Sequence, residues 1–178
     1  MSDLIRFQAK ICYTAAAWML HEEKVLLIHH KKLGIWLAPG GHVEEGEMPH
    51  QTAEREFYEE TGIRAKAIMQ SDFSIEIEDV QFLPCPFVSN LHWVCKENYW
   101  LRQGMGKSED VPLGWRKRGC EQHLGFAYLV YPTKGVEIRH NETETLGIEW
   151  FTRDELSDLN TLDNIRQEAA FVFEHYPR

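Results

Sequence analysis

Between Gly41 and Ile63 the chain reads GHVEEGEMPHQTAEREFYEETGI, and this stretch restricts the possible folds more than any other. Pro39-Gly40-Gly41 closes the short apolar run Ile35 to Leu37 in a turn, since glycine lets a backbone bend and come close to a ligand. Pro49 suits the first position of a helix, where no N–H is needed, and Gly62 suits the left-handed residue just past its end. The spacing therefore predicts a helix over about Pro49 to Thr61. Its start is weak, because Met48 stands where a Ser, Thr or Asp would cap it. Glu56, Glu59 and Glu60 fall at offsets 0, 3 and 4, so the three carboxylates share one face, while Ala53 and Phe57 form a separate apolar pair for the core. Like charges at i and i+4 destabilise a helix by ~0.2–0.5 kcal/mol per pair, so the cluster opposes folding unless a cation sits among it. Donors that are all oxygen suit a hard ion such as Mg²⁺ or Mn²⁺. A solvated acidic face, with Arg55 paired to Glu59, would account for three glutamates alone. It does not account for the glycine turn, the distant Glu47 and Arg55 in register with them.

The same stretch resembles the signature of the Nudix hydrolases, G-x5-E-x7-R-E-U-x-E-E-x-G-U with U apolar. The match holds at every position, through Gly41, Glu47, Arg55, Glu56, Phe57, Glu59, Glu60, Gly62 and Ile63. A chance match somewhere in a chain of this length has a probability on the order of one in ten million, which removes coincidence as a competing explanation. The resemblance implies an α/β (α+β) architecture, the Nudix fold, in which a mixed sheet lies between helices. It also implies hydrolysis of a diphosphate linked to another moiety, typically in a nucleotide, by water that a divalent cation activates. By the same resemblance Glu56 and Glu60 are the principal metal ligands, and Glu59 is a further ligand or the group that orients water. Glu47 supports the site directly or through water, Arg55 holds the glutamates in position, and the carbonyl of Gly40 is a backbone ligand. The family often carries one more carboxylate shortly before the tryptophan of the final strand. Upstream of Trp150 stand Glu142, Glu144 and Glu149. Glu144 lies six residues before it, the offset seen in some members, and is expected to complete the site as ligand or general base.

Composition narrows the partners. With 178 residues, 43 % hydrophobic and 12 % aromatic, the chain can form one domain with a substantial core. A formal net charge of −9 argues against broad binding to nucleic acid or anionic lipid. A small phosphorylated substrate stays compatible, because bound metal supplies positive charge locally. Cys12, Cys85, Cys95 and Cys120 form no C-x-x-C pair, and the nine histidines have no zinc-finger or H-E-x-x-H spacing. Reduced thiols and a cytoplasmic location are the expectation. The first residues contain no apolar run of signal-peptide length, and no segment approaches the span of a membrane helix.

Along the chain, Ile11 to Leu20 is apolar on both alternations and predicts a strand covered on both faces. His21 to Lys24 is its turn and Val25 to His29 the returning strand, with His29 and His30 at a strand end meeting solvent. After the helix, Arg64 to Gln70 and Phe73 to Glu78 read as strands, Phe82 to Phe87 as a loop or edge, and Leu91 to Cys95 as strand-like. Lys96 to Gln122 is an irregular insertion broken by Gly104, Gly106, Pro112, Gly114 and Gly119, with a basic cluster at Arg116 to Arg118. It is expected to be a partly ordered lid or dimer element, or a plain surface insertion. His123 to Tyr131 predicts a buried strand and Glu149 to Phe151 a short one, followed by helices from about Arg153 to Leu159 and from Asp163 to Tyr176. Ile165, Ala169, Val172, Phe173 and Tyr176 form the apolar stripe of the last helix.

Substrate choice is not set by these patterns. Trp36, Phe126 and Tyr128, and also Trp18, could stack a base, although strand aromatics are more often core. Three function classes follow: a diphosphate hydrolase, a non-catalytic nucleotide sensor on the same fold, and an isoprenyl diphosphate isomerase. The last would need a catalytic cysteine among Cys85, Cys95 and Cys120.

Overall fold

The computed structural model describes residues 8–69, 78–111, 119–139, 143 and 145–177. Most of the strand expected over 73–78, and the basic cluster at 116–118, lie outside those residues. In chain order the strands are β1 (Ile11–Trp18), β2 (Leu20–His21), β3 (Lys24–His30), β4 (Ile35–Leu37), β5 (Gly40–His42), β6 (Ala65–Ala67), β7 (Val88–Trp93), β8 (Gln122–Pro132) and β9 (Thr145–Phe151). The helices are α1 (Pro49–Thr61), α2 (Lys96–Arg102), α3 (Glu155–Asp158) and α4 (Asp163–His175).

Alternation along the strands builds two cores. β1 and β8 run parallel, from Ile11 opposite Gln122 to Trp18 opposite Leu129. Their residues point to opposite faces in turn. Ala15, Ala17, Tyr128 and Val130 meet Ala53 and Phe57 of α1, while Trp18, Ala127 and Leu129 meet Ile165, Ala169 and Val172 of α4. β5 pairs with the free side of β1, and β6 and β7 pair with β8. In the second sheet β3 is central and pairs with β2, β4 and β9. Leu26 of β3 joins the α1 core, and Val25 and Leu27 join the α4 core. The result is the expected mixed α+β sandwich, in which apolar residues on both alternations of β1 fill both sides.

α1 begins and ends where the spacing predicts. The missing Ser or Thr at Met48 is offset by Gln51, whose Oε1 accepts from the Met48 N–H at 2.9 Å. At the other end Gly62 has φ +76° and its N–H donates to the Tyr58 carbonyl at 2.8 Å. A Cβ there would lie 2.6 Å from the Cβ of Arg139, so glycine is required both for the turn and for the approach.

Two expectations are corrected. Lys96 to Arg102 is helical, not irregular. Every glycine and proline of the 96–122 stretch follows Arg102, so these breakers hide a seven-residue helix held by long-range contacts. Asn98 is buried and its Nδ2 donates to the Cys120 carbonyl at 3.0 Å, while Arg102 donates to both oxygens of the buried Glu121 at 2.6 and 2.9 Å. The second correction concerns the thiols. Cys12 and Cys120 are joined as a disulfide across 108 residues, with Cα atoms 5.8 Å apart, whereas Cys85 and Cys95 are free. Tertiary pairing of β1 with the lead into β8 brings these two cysteines together, which no local spacing records. Among the described residues no helix is long and apolar enough to cross a membrane.

Neighbouring residues of α1 should separate sharply in stability. Phe57 is 0 % exposed and Tyr58, which lies under the Arg64 guanidinium, is 42 % exposed. Phe57→Ala should cost about 3–5 kcal/mol by loss of burial and creation of a cavity, and Tyr58→Ala about 1 kcal/mol or less. Urea unfolding of both variants checks this, and equal losses would contradict the assignment of the α1 core.

Candidate active site

Arg55 organises the acidic face of α1. Its Nε and Nη2 donate to the two oxygens of Glu47 at 2.9 and 3.0 Å, a bidentate fork. Nη1 donates to Glu56 Oε1 at 2.8 Å and to Glu59 Oε2 at 3.1 Å, and Nη2 also donates to the His42 carbonyl at 3.3 Å. A guanidinium carries five N–H groups, and these five bonds use them all. Glu47 accepts further from Thr52 Oγ1 at 2.6 Å and from the Glu44 N–H at 3.2 Å. The bond from Arg55 is the largest cause that pulls the Glu47 carboxyl down, to about 2, and the same contact raises Arg55 still further above its ordinary range.

The remaining carboxylates meet the glycine turn. Glu60 is only 6 % exposed, and its Oε2 accepts from the Gly40 N–H at 2.9 Å. β5 places Gly41 opposite Ala15 and Gly40 opposite Ala16 of β1. A Cβ at Gly41 would overlap the Glu56 carboxylate, and one at Gly40 would lie 2.5 Å from the Ala15 carbonyl. Gly41 thus lets β5 close on α1 at Glu56, and Gly40 lets β5 close on β1.

The donor types on this face are those a hard divalent cation takes. Glu56, Glu59, Glu60 and the Gly40 carbonyl offer only oxygen donors, and Arg55 fixes two of the three carboxylates from one side. Glu47, by contrast, is engaged by Arg55 and Thr52 and holds the guanidinium that sets its neighbours.

The other sequence candidates are distributed more widely. Trp36 on β4 stacks on His29 at 5.0 Å between ring centroids and packs edge-on to Phe151 at 4.8 Å, on the α4 side. Phe126 and Tyr128 lie on the α1 side, Tyr128 being 4 % exposed with His50 6.4 Å away. The structure does not bring the three rings together. Glu149 is exposed on β9, opposite Leu27. Glu142 and Glu144 lie outside the described residues. A group that sequence patterns missed is Cys12, His42 and Cys120, whose sulfur and ring-nitrogen atoms all lie within 4.8 Å of one another. Positions so far apart in the chain carry no local signal.

The Glu47–Arg55 pair has a definite pH signature. A carboxyl whose folded value is depressed stabilises the fold fully above its ordinary value of 4.5 and loses that contribution as pH falls toward about 2. The stability gap between the wild type and Glu47→Gln should therefore be constant from pH 7 to about pH 5 and narrow toward pH 3, as measured by urea unfolding. A gap independent of pH would mean that the pair contributes nothing through charge.

A family profile described as NUDIX domain matches residues 11–173. Over 125 residues the chain is 48 % identical to "Uncharacterized Nudix hydrolase YvcI" of Bacillus subtilis (strain 168), covering 67 % of this chain and 77 % of that one. Over 74 residues it is 39 % identical to "Probable DHNTP pyrophosphohydrolase" of Lactococcus lactis subsp. cremoris (strain MG1363), covering 42 % of this chain. That match spans 41 % of the relative's length. A solved structure of a NUDIX family hydrolase from Clostridium perfringens superposes with a TM-score of 0.69, over 91 % of this chain and 95 % of that one. At 22 % identity this is a likeness of fold. With its profile matched over nearly the whole length and the complete signature in place on β5 and α1, the chain belongs to the Nudix family.

Proposed function

We propose that the protein hydrolyses a diphosphate bond in a nucleoside diphosphate linked to another moiety, with Mg²⁺ or Mn²⁺ held by Glu56, Glu59, Glu60 and the Gly40 carbonyl. The observation that carries this is the set of carboxylates ordered by one arginine against a glycine turn. A relative named as a pyrophosphohydrolase supports the reaction class. When bound, the cation would polarise a phosphoryl oxygen, lower the pKa of water and neutralise developing charge.

The chain's own residues then have distinct tasks. Arg55 fixes the direction of Glu56 and Glu59, and Glu47 fixes Arg55. Glu60 is kept buried and oriented by the Gly40 amide. Glu59 has a side chain 46 % exposed, so it can meet solvent or substrate as ligand or water-orienting group. Glu144 is the proposed general base or further ligand, on the strength of its offset from Trp150. Trp36, Phe126 and Tyr128 remain candidates for contact with a substrate ring. The net charge of −9 is consistent with a small phosphorylated substrate that is attracted locally by the cation. A cytoplasmic location and a possible second copy as partner belong to the same proposal.

Two of the three cysteines the isomerase alternative could use are withdrawn: Cys120 is bonded to Cys12, and Cys95 is buried, with burial the first cause raising its thiol. Cys85 is free and exposed, so turnover that a thiol blocker abolishes would favour the isomerase. A non-catalytic sensor could lose Glu47, Glu56, Glu59 and Glu60, and this chain keeps all four.

A release assay over a panel of nucleoside triphosphates, nucleotide sugars, dinucleoside polyphosphates and coenzyme A checks the proposal. Phosphorylated product should appear with Mg²⁺ or Mn²⁺ and not in excess chelator. Binding without turnover under any metal would point to the sensor. Within the site, Glu56→Gln and Glu60→Gln should each lower turnover at least ~100-fold, the upper end for residues one shell further out. Stability should hold or rise in Glu60→Gln, since like-charge repulsion is relieved, whereas Glu56→Gln also gives up the ionic part of its bond with Arg55; near-normal turnover in both would place the cation elsewhere. Glu144→Gln should lower kcat by about 10²–10⁴-fold with little change in KM, the usual contribution of a positioned base. Glu142→Gln and Glu149→Gln should change little, and a crippling effect of either, with Glu144→Gln active, would overturn the assignment.

A further inference from the structure

On β5, Gly41 and His42 face opposite sides of the sheet. Gly41 pairs with Ala15 and meets Glu56 of α1, whereas His42 pairs with Thr14. Residues of β1 two apart share a face, so Cys12 lies on the Thr14 side together with His42. In the parallel pairing of β1 with β8, Cys12 stands opposite His123, and in the antiparallel pairing of β7 with β8 His92 stands opposite the same residue. Two cysteines and a cluster of histidines therefore gather on the sheet face that does not carry the carboxylates. The Sγ of Cys120 is 3.5 Å from His42 Nε2, and the His42 and His123 rings meet edge to face at 4.7 Å between centroids.

We infer that Cys12, Cys120 and His42, with His123 as the adjacent fourth donor, hold a Zn²⁺-like ion when the Cys12–Cys120 bond is reduced. Thiolate and imidazole donors select such a borderline-soft cation, in contrast to the oxygen donors of the acidic face. Tetrahedral coordination with the usual Zn–S and Zn–N lengths requires S···N edges of ~3.5 Å and an S···S edge of ~3.8 Å. The first is the Cys120–His42 distance already present. The second is reached by side-chain rotation once the sulfur–sulfur bond is open, from Cα atoms 5.8 Å apart. Reduction by a phosphine breaks that bond, gives two thiols and converts the phosphine with one water to its oxide. The divalent cation then displaces both thiol protons. The ion would join the start of β1, β5 and the lead into β8, and it is independent of the diphosphate chemistry proposed above.

Cobalt(II) distinguishes this site from the carboxylates, because only thiolate ligands give an intense sulfur-to-metal charge-transfer band. The full chain is reduced with a phosphine, freed of metal and titrated with Co²⁺. The band should grow to one equivalent, disappear on addition of Zn²⁺, and be absent from protein with the disulfide intact. It should persist in a Glu56→Gln, Glu60→Gln double variant, vanish in Cys12→Ser and in Cys120→Ser, and shift or weaken in His42→Ala. No band in the reduced wild type, which needs no variant to fold, would overturn the proposal. A band that survives either cysteine change, or is unaltered in His42→Ala, would overturn it as well.

Discussion

The acidic face of α1 depends on one guanidinium. Glu47, Glu56, Glu59 and Glu60 lie on or beside a single helix, and without compensation their repulsion would oppose folding. Arg55 directs every N–H it has at three of them and at the strand β5, so the same contacts that offset charge also set direction. Lysine could supply the charge but not the planar fork. Glu60, the one that Arg55 does not reach directly in these bonds, is held instead by the Gly40 amide and by burial.

That arrangement requires β5 and α1 to approach more closely than side chains allow. Gly41 permits it, Gly40 permits the matching approach of β5 to β1, and the pairing of β5 with β1 fixes the register at which both happen. Ala15, Ala17 and Trp18 of β1 are buried in the two cores, so the half of β1 beneath the site is packed on both faces. The alternation of β5 then divides the labour of its residues, with Gly41 toward the carboxylates and His42 toward the cysteines. The His42 carbonyl, which accepts from Arg55, joins the two sides of the sheet.

How much of this was legible in the sequence follows from the range of the interactions. The bounds of α1 were readable because Pro49 and Gly62 act on their own backbone, and the shared carboxylate face follows from helical periodicity alone. Short continuous apolar runs identified β1 and β8, and the stripe of α4 appeared as expected in Ile165, Ala169 and Val172. The disulfide and α2 were not readable. Cys12 and Cys120 meet only through strand pairing across 108 residues, and α2 is fastened by Asn98 to the Cys120 carbonyl and by Arg102 to Glu121. Nor does aromatic composition say which ring meets a ligand. Trp36, Phe126 and Tyr128 are alike as strand aromatics, yet they pack on different sides of the fold.

The carboxylates ordered by Arg55 are proposed to bind a hard divalent cation. Electron paramagnetic resonance of Mn²⁺ measures this without a substrate, since bound ion loses the sharp six-line signal of the free ion. Titration of the wild type should show Mn²⁺ withdrawn from solution, and simultaneous Glu56→Gln and Glu60→Gln changes should return it to the free state, while Cys12→Ser leaves binding intact. Equal withdrawal by the wild type and the double glutamine variant would show that these carboxylates do not hold the ion.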